Sequence, residues 1–337
     1  MMKFSLSPTL SSRQTVFSIA AGLALAVASG AAAAQTTPAV IFDMGGKFDK
    51  SFNEAAYRGV EQWKKDTGGK YLEFEISNET QRVQAIRRMA ERGASPIISV
   101  GFAQASALNQ VAKDFPKTKF VIIDEKVNQP NVQSVLFKEQ EGSFLVGALA
   151  ALTSKTGKVG FVGGMDIPLI RRFGCGYVGG AKAGGATEVI QNMTGDTPAA
   201  WNDPTKGGEI AKTQIDQGAD VIYAAAGGTG VGVYQAAKDA GKLAIGVDSN
   251  QNHLQPGTML SSMVKRVDVA VYNVLKEWKP GISVLGLKEG GVEYAVDANN
   301  AKLIAPAVKT KLDAYKADII AGKIKVADYM ADNACKN

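Results

Sequence analysis

The sequence predicts an α/β protein built from two doubly wound, Rossmann-like lobes. From residue 38 onward, short β-branched segments alternate with longer segments of helical periodicity, as in parallel strands joined by crossover helices. A strand-like segment at residues 158–163 restarts this rhythm after Thr156-Gly157, so we expect a second sheet there. The chain has 337 residues, 45% of them apolar, which is enough to bury two cores of medium size.

The expected elements of the first lobe are strands at residues 38–44, 71–76, 96–100, 119–124 and 132–137 and helices at residues 51–67, 79–93 and 102–115. The apolar residues Val83, Ile86 and Met89 share one face of the second of these helices. A helix rich in small residues, at 139–155, leads to the second lobe. There we expect strands at 158–163, 187–193, 220–225 and 243–247 and helices at 168–185, 205–218 and 230–241. The motif Asn202-Asp203-Pro204 is a helix start signal, with proline at the opening position.

The last part of the chain holds more elements than the second sheet requires. These are a strand at 259–264, a helix at 268–278, short strands at 282–287 and 293–296, and a terminal helix. We therefore expect the chain to return to the first lobe. The N-terminal lobe would comprise residues 35–156 plus about 265–337, the C-terminal lobe residues 157–264, and several connections would form a hinge.

The N-terminal segment indicates export. Lys3 and Arg13 precede an apolar run at residues 16–27, and a stretch of small residues follows at 29–34. This pattern is typical of a secretory signal peptide, here residues 1–34 cleaved near Ala34, and the run is shorter than the roughly 20 residues of a membrane span. An uncleaved anchor is the alternative. Because no cysteine lies near the cleavage site, we expect no lipid anchor and a free periplasmic protein.

The composition excludes several classes of function. With one histidine and two cysteines, the chain has too few ligands for a zinc site and little scope for histidine-based catalysis, so we expect no metal and no enzymatic activity. The net charge of +6 is spread along the chain, which gives no support for nucleic-acid binding. We expect a monomer. Whether Cys175 and Cys335 form a disulfide is left open, because the sequence does not give the distance between them.

In doubly wound sheets, ligands bind outside the carboxyl ends of the strands, so candidate site residues follow the predicted strands. In the first lobe these residues are Asp43, Asp49, Phe52, Asn53, Phe102 and Asp124. The same loop contains Ser51 followed three residues later by Glu54, a capping box that would begin the first helix and is compatible with a binding role for its neighbours. Core packing is the alternative for each phenylalanine, and the favoured one for Phe102.

The corresponding positions of the second lobe hold aromatic, small and charged residues, namely Arg171, Arg172, Phe173, Gly227, Asp248 and Lys265. For Lys265, an exposed surface cation is the alternative. Aromatic rings together with carboxylates suit a planar heterocycle that carries a polyol, because rings stack and carboxylates accept hydrogen bonds from hydroxyl and ring N–H groups. Gly228 and Gly230 resemble a dinucleotide fingerprint, but Val233 occupies the third glycine position, so we expect no cofactor.

Taken together, these motifs resemble the basic membrane protein family, the purine-nucleoside-binding components of ABC importers. The resemblance covers nearly the whole chain after the signal peptide and rests on five motifs in order. They are residues 48–53 (FDKSFN), residues 163–168 (GGMDIP) with Arg172-Phe173, Asn202-Asp203-Pro204, residues 226–230 (AGGTG) and residues 246–249 (GVDS).

The resemblance implies the type I periplasmic-binding-protein fold, hinge closure on a purine nucleoside, and a permease in the inner membrane as partner. It implies that Phe52 and Phe173 sandwich the base and that Asn53 and Asp124 read its polar edge. It further implies that Asp248, Gly227 and Lys265 hold the ribose, with Asp43 supporting the same pocket. Gly174-Cys175 departs from the larger or acidic residue expected after Phe173, which leaves the preferred base open. The alternatives are a sugar- or nucleobase-binding protein of the same fold and a nucleoside hydrolase.

Overall fold

The computed structural model describes residues 36–335, so the predicted signal peptide lies outside the described residues. Its strands, in chain order, are β1 (Ala39–Phe42), β2 (Leu72–Glu75), β3 (Ile97–Val100), β4 (Phe120–Ile123), β5 (Val132–Phe137), β6 (Lys158–Met165), β7 (Glu188–Gly195), β8 (Val221–Ala225), β9 (Leu243–Asp248), β10 (Met259–Lys265), β11 (Gly281–Leu285) and β12 (Val292–Tyr294). Its α-helices are α1 (Phe52–Thr67), α2 (Gln81–Glu91), α3 (Ala105–Asp114), α4 (Glu139–Thr153), α5 (Pro168–Ala183), α6 (Pro204–Asp216), α7 (Gly230–Asp239), α8 (Val267–Lys276), α9 (Pro306–Ile320) and α10 (Tyr329–Asp332).

The strands form two six-stranded sheets, ordered β2-β1-β3-β4-β5-β11 and β7-β6-β8-β9-β10-β12. Strand pairs are parallel except β10 with β12. Successive residues of β1 enter different cores: Ala39 and Ile41 pack on one face of the first sheet, Val40 and Phe42 on the other. Helices therefore cover both faces of this sheet, which explains why β1 is apolar throughout rather than alternating.

The two lobes are joined by three connections within the described residues. The chain crosses from the first lobe at Lys138, returns at Arg266, and crosses again between β11 and β12. This arrangement is the multi-strand hinge expected from the sequence. The carboxyl ends of both sheets face the space between the lobes.

The lobe boundaries differ from the predicted ones in two places. Helix α4, which the sequence assigned to the first lobe, packs on α5 of the second, because glycines on both helices let the backbones approach closely. A Cβ atom on Gly147 or Gly180 would lie within 2.2 Å of a carbonyl oxygen of the opposite helix. The chain beyond residue 290 also stays with the second lobe, since β12 pairs with β10 and α9 packs on α4.

Local signals in the sequence account for several element ends. The Asp203 carboxylate accepts a hydrogen bond from the N–H of Lys206, and Pro204 occupies the first turn of α6, as the motif predicts. Helix α1 ends at Gly68, whose φ of 69° few other residues adopt. None of the helices between residues 36 and 335 combines the length and the apolar character required to span a bilayer.

The two cysteines form a disulfide. Cys175 is buried in α5, Cys335 is the last described residue, and their Cα atoms are 5.2 Å apart. The bond holds the C-terminal segment, including α10, against the second lobe.

We expect Cys335→Ala to lower the free energy of unfolding by about 2–4 kcal/mol, because the disulfide restricts the unfolded chain. Urea denaturation of the variant measures this loss. The unaltered protein in the presence of a reductant should lose the same amount. Equal midpoints with and without reductant would show that the bond does not stabilise the fold.

Candidate ligand-binding site

A cavity lies between the lobes at the carboxyl ends of the strands, and its empty space, counted together with its opening to solvent, is about 610 Å³. The walls include most of the candidate residues, among them Asp43, Phe52, Asn53, Asp124, Phe173, Gly227, Asp248 and Lys265. The structure thus brings these residues together, although they come from distant parts of the chain. Arg171 and Arg172 do not line the cavity, and Arg171 instead forms an ion pair with Asp166.

Lys265, the last residue of β10, is buried, and the alternative of an exposed surface cation is wrong for it. Its Nζ lies 2.6 Å from Asp124 Oδ2 and 2.9 Å from Glu139 Oε1. Burial acts to lower the pKa of Lys265, but the neighbouring carboxylates outweigh it and raise the pKa above its ordinary value. The lysine is therefore a fixed cation within the site.

Three phenylalanine rings surround the same ammonium group. Its Nζ lies 5.2 Å from the ring centroid of Phe52, 5.0 Å from that of Phe137 and 5.6 Å from that of Phe173. At these distances the negative faces of the rings attract the cation. Lys265 and the rings consequently hold each other in place beside the cavity.

Asp124 and Asp248 each directly follow or end a strand, and both have a left-handed backbone, with φ of 75° and 62°. Few residues other than glycine adopt this conformation, but aspartate tolerates it. Burial raises the pKa of both carboxyl groups, to about 7 for Asp124, while Lys265 opposes the shift. In the part of the chain that the structure describes, buried Asp124 Oδ1 accepts no hydrogen bond, so it is available to a ligand donor.

The side chain of Asn53 forms two hydrogen bonds with the main chain of Asp43. The Asn53 Oδ1 accepts from the N–H of Asp43 and its Nδ2 donates to the Asp43 carbonyl, each over 3.2 Å. The Asp43 carboxylate in turn accepts from Arg82 on α2, with Nη2 3.1 Å from Oδ1. Burial raises the pKa of Asp43, and Arg82 opposes that shift. Arg82, the second residue of α2, was not predicted from the sequence because its role depends on Asp43, a partner distant in the chain.

The predicted capping box at Ser51 and Glu54 is wrong. Asp49 caps α1 instead: its carboxylate accepts from the N–H groups of Ser51, Asn53 and Glu54 at 2.8, 3.0 and 3.1 Å. Burial nevertheless raises the pKa of Asp49 to about 7. Because Asp49 satisfies the helix end, the Ser51 hydroxyl is free to turn toward the second lobe.

Hydrogen bonds between residues 50–58 of the first lobe and residues 248–251 of the second join the two lobes. Ser51 Oγ donates to Asp248 Oδ2 over 2.6 Å, and Ser249 Oγ donates to the Ser51 carbonyl over 2.6 Å. Arg58 donates to Ser249 Oγ over 2.9 Å, and Gln251 Nε2 donates to the Lys50 carbonyl over 2.9 Å. The structure therefore shows the lobes closed on each other.

Two further aromatic residues meet across the cavity. Phe102 of the first lobe and Trp201 of the second pack edge to face, with ring centroids 6.5 Å apart. Phe102 and Trp201 both line the cavity and also pack against the apolar core. A Cβ atom on Gly164 would lie 2.3 Å from the indole, so only glycine leaves room for it.

Ion pairs connect the site to the C-terminal segment. Arg172 lies 3.0 Å from Glu139 and 2.7 Å from Asp328, in addition to donating to the Phe137 carbonyl. Glu139 thus bridges Lys265 and Arg172, a role that the sequence analysis missed. The signal that could have found it is an acidic residue opening an otherwise small and apolar buried helix.

The site is rich in hydrogen-bond acceptors. Carboxylates outnumber the cations, and the acids of the cavity are held by backbone N–H groups, by Arg82, by Lys265 or by the Ser51 hydroxyl. No cluster of histidine, cysteine or acidic side chains suited to a metal ion occurs among residues 36–335. A ligand rich in hydrogen-bond donors complements such walls.

We expect Lys265→Met to lower the free energy of unfolding at pH 7.5 by about 3–5 kcal/mol, because it leaves Asp124 and Glu139 buried without their shared cation. The raised pKa of a buried carboxyl contributes stability at low pH that is lost as the pH rises, so the deficit should shrink toward pH 5. Urea denaturation of the variant and of the unaltered protein at pH 7.5 and at pH 5 measures this difference in the free energy of unfolding.

The matched control is Lys279→Met, which removes an exposed ion pair with Glu277 and should change stability by less than about 0.5 kcal/mol. Similar losses in the two variants, or a deficit independent of pH, would contradict the proposed role of the buried cluster.

Comparison with known proteins gives the family. A family model described as Bmp, ABC transporter substrate-binding protein PnrA-like, matches residues 36–329. The chain is 32% identical to the ABC transporter nucleoside-binding protein BmpA of Lactococcus lactis, over 88% of this chain and 91% of that protein. It is 37% identical to an uncharacterized lipoprotein of Pyrococcus horikoshii, over 76% of this chain and 68% of that protein.

Among solved structures, an ABC transporter solute-binding protein of Aeropyrum pernix K1 matches with a TM-score of 0.80 at 30% identity, covering 87% of this chain and 93% of that one. The fold is that of the type I periplasmic binding proteins, as predicted. The expectation of no lipid anchor is at odds with the lipoprotein name of one relative and concerns residues outside the described range. The chain belongs to the Bmp family of PnrA-like ABC transporter substrate-binding proteins, which bind solutes for transport and are not enzymes.

Proposed function

We propose that this chain captures a purine nucleoside between its lobes in the periplasm and delivers it to an ABC permease in the inner membrane. The observation that carries the proposal is the cavity itself, where aromatic rings from both lobes flank buried carboxylates with free acceptor capacity. The nucleoside-binding relative in Lactococcus lactis supports the same ligand class.

A nucleoside complements these walls group by group. Its base is planar and apolar on both faces, which suits Phe52 and Phe173, and its polar edge would meet Asn53 and Asp124. Its vicinal hydroxyl groups donate hydrogen bonds, which suits the carboxylate of Asp248. In this pose Gly227 and Lys265 also contact the ribose, and Asp43 acts indirectly by holding Asn53.

The alternatives match the cavity less well. A sugar would leave the aromatic rings without a flat partner, and a free base would leave Asp248 without hydroxyl donors. An anionic ligand would meet an excess of buried carboxylates, and repulsion in a site of low dielectric is strong. Each alternative therefore uses only part of the site.

Closure of the hinge would couple binding to a change of shape. The hydrogen bonds of Ser51, Ser249 and Arg58 between the lobes are available only in the closed arrangement. A ligand that contacts both lobes adds to these bonds and shifts the population toward the closed form. The permease would then bind the closed form of the protein, which is the form that holds the ligand.

We expect isothermal titration calorimetry to show binding of adenosine, inosine or guanosine, with ribose and the free bases at least 100-fold weaker because each satisfies half of the site. Asp248→Asn should weaken nucleoside binding by about 1.5–3 kcal/mol, or roughly 10- to 150-fold, since a charged acceptor is lost.

Asp239→Asn is the matched control, because Asp239 is exposed at the end of α7 and lies outside the cavity walls. Absence of binding by any purine nucleoside at millimolar concentration, or preference for a sugar, would refute the proposal. Release of free hypoxanthine from inosine would instead favour a hydrolase.

A further inference from the structure

A second cavity adjoins the main one, and its empty space, counted together with its opening to solvent, is about 390 Å³. The two share the wall residues Asp43, Met44, Phe102 and Trp201. Neither the phenylalanines assigned to the base nor the residues assigned to the ribose line this side cavity. It is therefore additional space that the nucleoside of the proposed function does not fill.

The walls of the side cavity are mostly apolar. Met44, Met165, Phe102, Pro198 and Trp201 contribute carbon and thioether surface, and methionine side chains adapt to ligands of varied shape. This composition favours an apolar occupant.

The charged groups of the side cavity are already paired. Arg82 lies 3.1 Å from Asp43 and 3.8 Å from Glu79, so its charge is balanced by two carboxylates. No free cation remains on these walls to attract an anionic group.

The shared residue Asp43 indicates which end of the nucleoside faces the side cavity. The main chain of Asp43 is bonded to Asn53, which the proposed function places at the polar edge of the base. Asp248 and Lys265, assigned to the ribose, line only the main cavity. A group that projects from the polar edge of the base would therefore enter the side cavity.

We infer that the site accepts purine nucleosides whose exocyclic amino group carries an apolar substituent, with the substituent lying between Ala103, Met165 and Trp201. The inference rests on the proposed function and narrows it, since it defines a class of modified nucleosides as ligands. Ala103 is the position at which a substitution tests this inference, because Ala103 lines the side cavity and not the main cavity.

Isothermal titration calorimetry with two ligand pairs tests the inference: adenosine with N6-benzyladenosine, and guanosine with N2-benzylguanosine. For at least one pair, the unaltered protein should bind the benzylated nucleoside with an affinity within about tenfold of that for its parent.

Ala103→Phe fills the side cavity. It should lower the affinity for the benzylated ligand at least tenfold while changing the affinity for the parent less than threefold. Met165→Phe, which fills the same cavity from the other lobe, should repeat this result, and Ala317→Phe, at an exposed position of α9, should leave both affinities unchanged.

The outcomes separate the two claims. If the parents bind and neither benzylated nucleoside does, or if Ala103→Phe and Met165→Phe weaken parent and benzylated ligand alike, the side cavity is not a subsite and the inference is wrong while the proposed function stands. If no nucleoside binds, the proposed function fails and the inference falls with it.

Discussion

The buried ammonium group of Lys265 is the interaction on which the rest of the site depends. Removing such an ion from water costs several kcal/mol unless close partners compensate. Here one partner, Asp124, comes from the first lobe, and the other, Glu139, opens the helix that follows a hinge connection. Lys265 itself precedes another hinge connection. The ion pairs of Lys265 therefore join the first lobe to residues beside two of the three connections between the lobes. They also fix the position of one end of the cavity.

The groups around Lys265, Asp124 and Glu139 also compensate the buried charge. Aromatic rings exclude water and attract the cation, and two of these rings, Phe52 and Phe173, form walls of the ligand cavity. Glu139 carries the network on to Arg172 and Asp328, close to the disulfide that holds the C-terminal segment. With Asp124 and Asp248 in left-handed conformations at the strand ends, the cavity presents hydrogen-bond acceptors, so the complementary ligand supplies donors.

Much of the fold and of the candidate site could be predicted from the sequence, because parallel β/α units have a regular periodicity and place their ligand residues at strand ends. This logic located Asp124, Phe173 and Asp248 without any knowledge of their contacts. It missed Glu139 and Arg82, whose roles depend on partners distant in the chain. It also misplaced helix α4, since the close packing of glycines between α4 and α5 has no local signature. Ser51 has the local features of a helix cap, yet Asp49 takes that position and leaves Ser51 to bond across the cleft.

The proposed function requires that this cavity hold a purine nucleoside. Mass spectrometry can identify the small molecules that are released when protein purified without added ligand is denatured. We expect a purine nucleoside in a near-stoichiometric amount, and we expect it to be absent from the Asp248→Ala variant. A sugar, an amino acid or a free base released in its place would contradict the proposed function.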